Sequence, residues 1–462
     1  MKATRKLYTV TDLGPGDGGK GGVVHKISSM ARAHTVIKVG GAQGSHGVST
    51  SSGDRFAFSQ FGCGTLEGAR THLSPRFIAL PEWIFWEAEA LRYECGVHDA
   101  FGLLTIDEAV ICATPYHGIS SRIKELARGS NPRGTVGSGV GETFRFAERY
   151  PELTIRAGDL AAPNVRDRLV VVRDRVREGL AGVLGAEFLS IDRTAVSEEI
   201  SLLENPAFLD YTVERFREVA RRVWIVDSDY MRRRILQRDG VVVVESSHGI
   251  LTDRYVGFHP HTSAIRTLPR FTHAMLAEAG YAGDIVNLGV TRAYQIRHGA
   301  GPIPTADPAM NETLLPGSHK EENRYQGKVR AGPLDLNLLR YAIAACGGPG
   351  AFHGLAVTWF DQLQRNREWR ICESYRNATD PRFFTESGAL RLRRGEDLAQ
   401  FEFQENLGAH IASCIPEITT IGVSPDASPD ELYSLCSTLN EKLGVDVRMV
   451  SMGPTERDKI CR

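Results

Sequence analysis

The chain has 462 residues, 42% hydrophobic and 24% charged, enough apolar material for a large soluble-type core and far more than a small stapled scaffold needs. A formal net charge of −1 offers no general basic surface for nucleic acid or for an anionic membrane. The eight cysteines form no C-x-x-C pair and no apolar run reaches 18 residues, so zinc ribbons, disulfide frameworks and membrane spans are excluded and a reducing, cytoplasmic setting is expected.

The first predicted element is a β-branched, aromatic strand over residues 7–13 (LYTVTDL), followed by GPGDGGKGG. Six glycines in nine residues rule out a helix or strand interior there. Gly14, Gly19 and Lys20 fit the G-x-x-x-x-G-K spacing of a phosphate-cradling loop, and residues 23–30 are predicted to form the helix it opens. Gly21 stands where Ser or Thr would hold Mg²⁺, and Asp17 puts a carboxylate among amides that should face phosphate. Such an acid either bridges to a metal or has chemistry to perform. A second strand, residues 35–39, runs into another glycine-rich turn, GGAQGSHG, which carries His46.

Further along, residues 81–93 have helical spacing behind an initial proline, and residues 106–113 read as a strand leading to Pro115-Tyr116-His117. Residues 134–141 (GTVGSGVG) form a third glycine-rich turn, where Thr135 and Ser138 offer hydroxyls to an anion. Residues 160–236 carry charged helical patterns expected on the outside of the fold, and the triplet Arg232-Arg233-Arg234 reads as a solvated face. The apolar run 241–245 is predicted to be a central parallel strand, and strands at 284–290, 355–358 and 447–450 repeat the theme of strand followed by polar or glycine-rich turn. The Asp of T-x-x-D, Thr358 to Asp361, can accept both hydrogen bonds of the guanine N1–H and N2–H₂ edge and is left unpaired against adenine. The expected architecture is therefore α/β: one large, mostly parallel sheet with a P-loop-like GTP site, a single domain over 1–462 with helical insertions at about 81–130 and 160–236.

With these motifs in hand, the chain resembles the adenylosuccinate synthetase family along most of its length. The family loop G-D-E-G-K-G corresponds to residues 16–21, G-G-x-N-A-G-H-T to 40–47, P-Y-H to 115–117, G-T-T-G to 134–137, and E-G-A-Q-G to 245–249. K-A-Y-x-x-R-V-G-x-G-P-F-P-T is similar to residues 292–305, T-K-L-D to 358–361, and the closing S-x-G-P to 451–454. The resemblance implies a carbon–nitrogen ligase that phosphorylates the 6-oxygen of IMP from GTP and then lets the aspartate amine displace the phosphate. It implies Asp17 and His46 as catalytic residues, with Asp17 and Ser45 holding Mg²⁺. Gly16, Gly18, Gly19, Lys20 and Gly21 would hold the GTP phosphates, and Asp361, Ser451 and Gly453 its guanine. Gln43, Thr135, Val136, His248, Thr262 and Arg330 would face the acceptor. The resemblance also implies a homodimer, with Arg145 or Arg149 lent across its interface.

The acceptor half departs from the family pattern. Val136 replaces a phosphate-gripping threonine, His248 the glutamine facing the purine 6-position, and Gln43 an asparagine. The aspartate-capturing A-T-T-G-R-x-R-R-x-G-W is reduced to residues 324–333, RYQGKVRAGP, in which Arg324, Lys328 and Arg330 are the remaining cations. Losing a buried carboxylate partner costs about 2–5 kcal/mol. The expectation is a GTP- and Mg²⁺-dependent ligase whose small-molecule amine is not aspartate bound in the family manner. Two other readings stay open: an ordinary adenylosuccinate synthetase, and a GTP-binding regulator without ligase chemistry, which would have no use for both Asp17 and His46.

Overall fold

The computed structural model describes residues 5–129, 131–184, 193–315 and 325–462. Its strands are, in chain order, β1 (Arg5–Asp12), β2 (Thr35–Gly41), β3 (His46–Ser49), β4 (Arg55–Phe58), β5 (Arg70–Ala79), β6 (Leu104–Asp107), β7 (Ile111–Cys112), β8 (Trp224–Val226) and β9 (Gly240–Gly249). There follow β10 (Asp284–Arg292), β11 (Gln295–His298), β12 (Val329–Gly332), β13 (Leu334–Asp335), β14 (Gly354–Thr358), β15 (Glu368–Tyr375), β16 (Pro416–Gly422), β17 (Val447–Ser451) and β18 (Lys459–Cys461). Eleven of them form one sheet in the order β18-β17-β14-β10-β1-β9-β2-β5-β6-β8, with β7 beside β5. Every pairing in it is parallel except β17 with β18, as the sequence patterning leads one to expect.

The central strands are apolar on both faces because helices and loops cover both sides. Along β14, Ala356 belongs to one hydrophobic cluster and Leu355 and Val357 to another, the two-residue alternation of a strand buried on both faces. The first cluster joins the sheet to α1 (Lys20–Ala31), α2 (Pro81–Cys95), α3 (Pro115–Leu126), α4 (Val140–Arg149), α5 (Val165–Ala181), α6 (Arg193–Glu204) and α7 (Pro206–Arg222). In α5 the buried positions Val165, Leu169, Val172, Val176 and Leu180 fall at helical spacing, so the charged remainder faces out. β2 is buried throughout, Lys38 included, and that burial sets a requirement met in the site below.

Three local expectations are corrected. Residues 106–113 are two short strands, because Asp107 accepts the amide of Ala109 at 2.8 Å and turns the chain between β6 and β7. The stretch 160–236 is not wholly helical: β8 adds a short edge strand to the sheet. His46 is not in the glycine-rich turn itself. It opens β3, which pairs with β4, and it is 8% exposed. The arginine triplet behaves as expected, with Arg232 on Asp229 and Arg233 on Asp227 at the surface. Among the described residues no helix is long and apolar enough to cross a membrane.

Candidate active site

Five adjacent strands, β14, β10, β1, β9 and β2, end together, and the loops after them build the site at the carboxyl edge of the sheet. β1 ends in Asp12, buried and accepting the amides of Gly14 and Gly18 at 2.8 Å each, together with the Lys20 ammonium at 2.9 Å. Lys20 also donates to the carbonyl of His248 at 2.8 Å. These bonds correct the simple cradle expected for this loop: two amides and the lysine are turned onto Asp12, which the sequence reading passed over. The glycines are needed for close approach. A Cβ on Gly19 (φ 88°) would come within 2.8 Å of the Thr358 hydroxyl, and one on Gly21 within 2.7 Å of the Gly47 carbonyl. Gly21→Ser is therefore expected to lower the unfolding midpoint without raising Mg²⁺ affinity, which a thermal melt and a Mg²⁺ titration would show.

Asp17 sits at the mouth of the cavity with φ 57°, a left-handed conformation that a non-glycine residue holds only when its surroundings impose it. Arg292, at the end of β10, imposes it. Its Nε donates to the Asp17 carbonyl at 2.6 Å, its Nη1 donates to the Tyr294 hydroxyl at 2.9 Å, and its guanidinium stacks 4.3 Å from the Trp359 ring. The Asp17 carboxylate, 40% exposed, lies 3.2 Å from Nε2 of His298.

Behind it lies a buried charge cluster. Glu245, on β9, is 2.7 Å from the Lys38 ammonium and 2.6 Å from Nδ1 of His46, and it accepts the Cys63 amide at 2.9 Å. Burial opposes the charge on Glu245, yet Lys38, His46 and the Cys63 amide hold its carboxyl well below the usual carboxylate range. Burial opposes Lys38 too, and Glu245 holds its ammonium above the ordinary value. His46 is held below its ordinary value by burial, with Lys20 and Lys38 adding to the effect against Glu245. Its Nδ1 is committed to Glu245, which leaves Nε2 for the cavity it lines. His46, Cys63 and Glu245 cluster closely enough to suggest a metal site. The ammonium of Lys38 on the same carboxylate makes it an ion-pair cluster instead.

Asp17, His46, Gly16, Lys20, Gln43, Ser45, Thr135, Val136, His248 and Thr262 all line one cavity of about 560 Å³. His248 (φ 62°) touches Gln43, and burial together with Lys20 pushes its imidazole down to about 4, so it is neutral at pH 7. Thr135 turns its hydroxyl to Ser121 at 3.1 Å and to the Gly137 amide at 3.2 Å, while Val136 exposes a methyl surface. Thr262 is 3.4 Å from Nδ1 of His259. Arg330 lies beside the cavity and gives both protons of Nη2 to the carbonyls of Gly299 and Gly301 at 2.7 Å each. Arg324 lies outside the described residues.

Asp361, Ser451 and Gly453, expected at the guanine, do not line this cavity. Thr358 donates to the Gly18 carbonyl at 2.6 Å, tying the T-x-x-D segment to the glycine loop. Asp361 follows, its carboxyl raised chiefly by burial and 3.6 Å from Arg365. Ser451 donates to the Gly453 carbonyl at 2.9 Å in the turn after β17.

Four residues had no role in the sequence reading: Asp12 and Lys38, charges inside predicted strands, and Arg133 and Arg297, cations next to glycine turns. Arg133 is exposed and lines the Val136 end of the cavity, and no carboxylate among the described residues lies within 4 Å of it. Arg297 is buried, donates to the carbonyls of Ala300 and His261 at 2.9 Å each, and is pushed down to about 9 by burial and by Arg330. For Mg²⁺, the fit rests on a hard carboxylate at the cavity mouth and on exposed Ser45, which lines the same cavity; oxygen donors of this kind suit an ion that keeps most of its waters.

Comparison with known proteins identifies the family and the fold. The family model for adenylosuccinate synthetase matches residues 10–460. The adenylosuccinate synthetase of Desulfovibrio desulfuricans is 26% identical over 452 residues, covering 97% of each chain, and that of Bacteroides fragilis 24% over 465 residues, covering 99% of each. The fully ligated adenylosuccinate synthetase structure from Plasmodium falciparum superposes with a TM-score of 0.73 at 18% identity, over 98% of this chain and 99% of that one. The succinoaminodeoxyadenylate synthetase of cyanophage S-2L, solved with dGMP and with dATP as energy donor, gives 0.56 at 14% identity, over 99% of this chain and 95% of that one. On a match that spans nearly its whole length, the chain belongs to the adenylosuccinate synthetase family of carbon–nitrogen ligases.

Proposed function

We propose that this ligase uses GTP and Mg²⁺ to phosphorylate the 6-oxo group of a purine nucleotide, and that an amine other than aspartate held in the family manner then displaces the phosphate. The observation that carries the chemistry is the convergence of Asp17 and His46 on one cavity. The Asp17 carboxylate would take the ring N1 proton of the acceptor, and the resulting 6-oxyanion would attack the γ-phosphate, releasing GDP. Nε2 of His46, protonated under the influence of Glu245 and of a bound triphosphate, would donate to the transferring phosphoryl group. Lys20 has one proton left for phosphate after Asp12 and the His248 carbonyl. Bound Mg²⁺, held by Asp17 and Ser45, would neutralise charge on the terminal phosphates. The amine then attacks C6, phosphate leaves with the C–O bond electrons, and the amine gives up its proton.

The acceptor-side reading draws on the wall of the cavity. Arg133, with no carboxylate within 4 Å among the described residues, supplies a cation where Val136 has no hydroxyl, and so suits the acceptor phosphate. On the amine side, Arg297 and Arg330 are tied to backbone carbonyls, and Val329, between Lys328 and Arg330, is buried among apolar residues. That arrangement supports an amine with fewer carboxylates to clamp than aspartate has. Following GTP consumption with IMP and a panel of amines tests it: release of phosphate with another amine and little with aspartate is expected. Brisk conversion of IMP and aspartate to adenylosuccinate would return the protein to the ordinary family activity. A homodimer belongs to this reading, with exposed Arg149 better placed to cross an interface than Arg145, which lines its own cavity. Sedimentation equilibrium decides the oligomeric state.

A further inference from the structure

The pairing of His298 with Asp17 is not needed by the chemistry above, and its geometry suits a second task. Both donors stand on fixed backbone. His298 closes β11, which is held in register with β12 opposite Val329, and Arg292 pins the Asp17 peptide. Both side chains line the cavity, with His298 Nε2 3.2 Å from Asp17 Oδ2. Two neighbouring ligands of an octahedral ion, each about 2.1 Å from it, stand about 3.0 Å apart. The observed spacing therefore suits a shared ion as well as it suits a hydrogen bond. The other four cavity imidazoles are differently engaged: His46 gives Nδ1 to Glu245, His248 presents Nε2 to Gln43, and His259 and His261 turn a ring nitrogen to the carbonyls of Arg254 and Arg133.

Resting on the assignment of Asp17 as the metal-holding carboxylate, we infer that His298 Nε2 is a further metal ligand in this chain. The site would then take a nitrogen-accepting divalent transition ion such as Mn²⁺ in preference to Mg²⁺. Imidazole is a poor ligand for Mg²⁺, which favours oxygen donors and water, and a good one for first-row transition ions. A mixed carboxylate–imidazole pair, set on rigid strand and loop ends before any ion arrives, biases the site in that direction.

The test uses Mn²⁺ as probe, added to the whole protein with a non-hydrolysable GTP analogue and followed by electron paramagnetic resonance. The wild type is expected to bind Mn²⁺ at least tenfold more tightly than Mg²⁺ in competition and to show the ¹⁴N modulation of a directly bound imidazole. His298→Val should abolish that modulation and weaken Mn²⁺ binding about tenfold or more while leaving Mg²⁺ binding within about twofold. His298→Gln checks that the loss is not unfolding, since it keeps a polar side chain of similar length. Nitrogen modulation absent from the wild type, or persisting in His298→Val, overturns the inference, and so does an unchanged Mn²⁺-to-Mg²⁺ ratio. Asp17→Asn separates the two layers. If Mn²⁺ binding survives it unchanged, the assignment of Asp17 itself fails. If binding falls there but not in His298→Val, only the role given to His298 fails.

Discussion

Asp17→Asn is expected to cut turnover on the order of 10²–10⁴-fold, the usual contribution of a positioned general base, while leaving GTP affinity within a few-fold. Asparagine tolerates the left-handed backbone that Asp17 adopts, and the Arg292 bond goes to the main-chain carbonyl, so the loop should keep its shape. What disappears is one negative charge, and with it the ability to accept the acceptor proton and to hold a cation. Phosphate release in a single turnover and calorimetric titration of GTP would separate the two effects. Loss of both catalysis and GTP binding would mean that the residue is structural and would remove the main support for the proposed mechanism.

The second large effect concerns the buried cluster. Lys38→Met should destabilise the protein by roughly 3–5 kcal/mol, because it leaves the Glu245 carboxylate buried without its ammonium. Replacing both, as Lys38→Met with Glu245→Gln, should restore most of the stability, since the remaining pair is neutral and similar in volume. Activity should not return, because His46 then rests on an amide in place of a carboxylate and no longer has a negative charge behind it. Denaturant unfolding of the single and double variants, with the assay run on both, checks the two statements. The pH dependence has a defined sign. Glu245 is depressed in the folded protein, so its contribution is complete above the unfolded carboxylate value near about 4.3 and is lost as pH falls below it. Without Lys38 the carboxyl is less depressed, so the acid-dependent loss should begin at the same pH, be smaller, and be complete at a higher pH.

Some of this was legible in the residues. The apolar run before Glu245 and the repeated strand-to-glycine pattern prescribe a parallel sheet, since strands covered on both faces must be apolar on both. The placing of Asp17 and His46 in consecutive glycine-rich turns already put them at one sheet edge. Glycine and serine neighbours place His46 in a turn, but β4 pairs with the segment and Glu245, 199 residues away, captures the imidazole. Local composition carries no information about a partner that distant.

By itself, then, the sequence determined the sheet type and its main parallel strands, and it put Asp17 and His46 in segments that follow two of them. These follow from side-chain periodicity and backbone preference, which act between near neighbours. Only the tertiary structure decided what each charge faces: that Lys20 turns to Asp12, that Lys38 and His46 share Glu245, and that His298 reaches Asp17. Burying a charge requires a partner at hydrogen-bond distance, and the partner that Lys38 and His46 share, Glu245, comes from a strand remote from both in the chain.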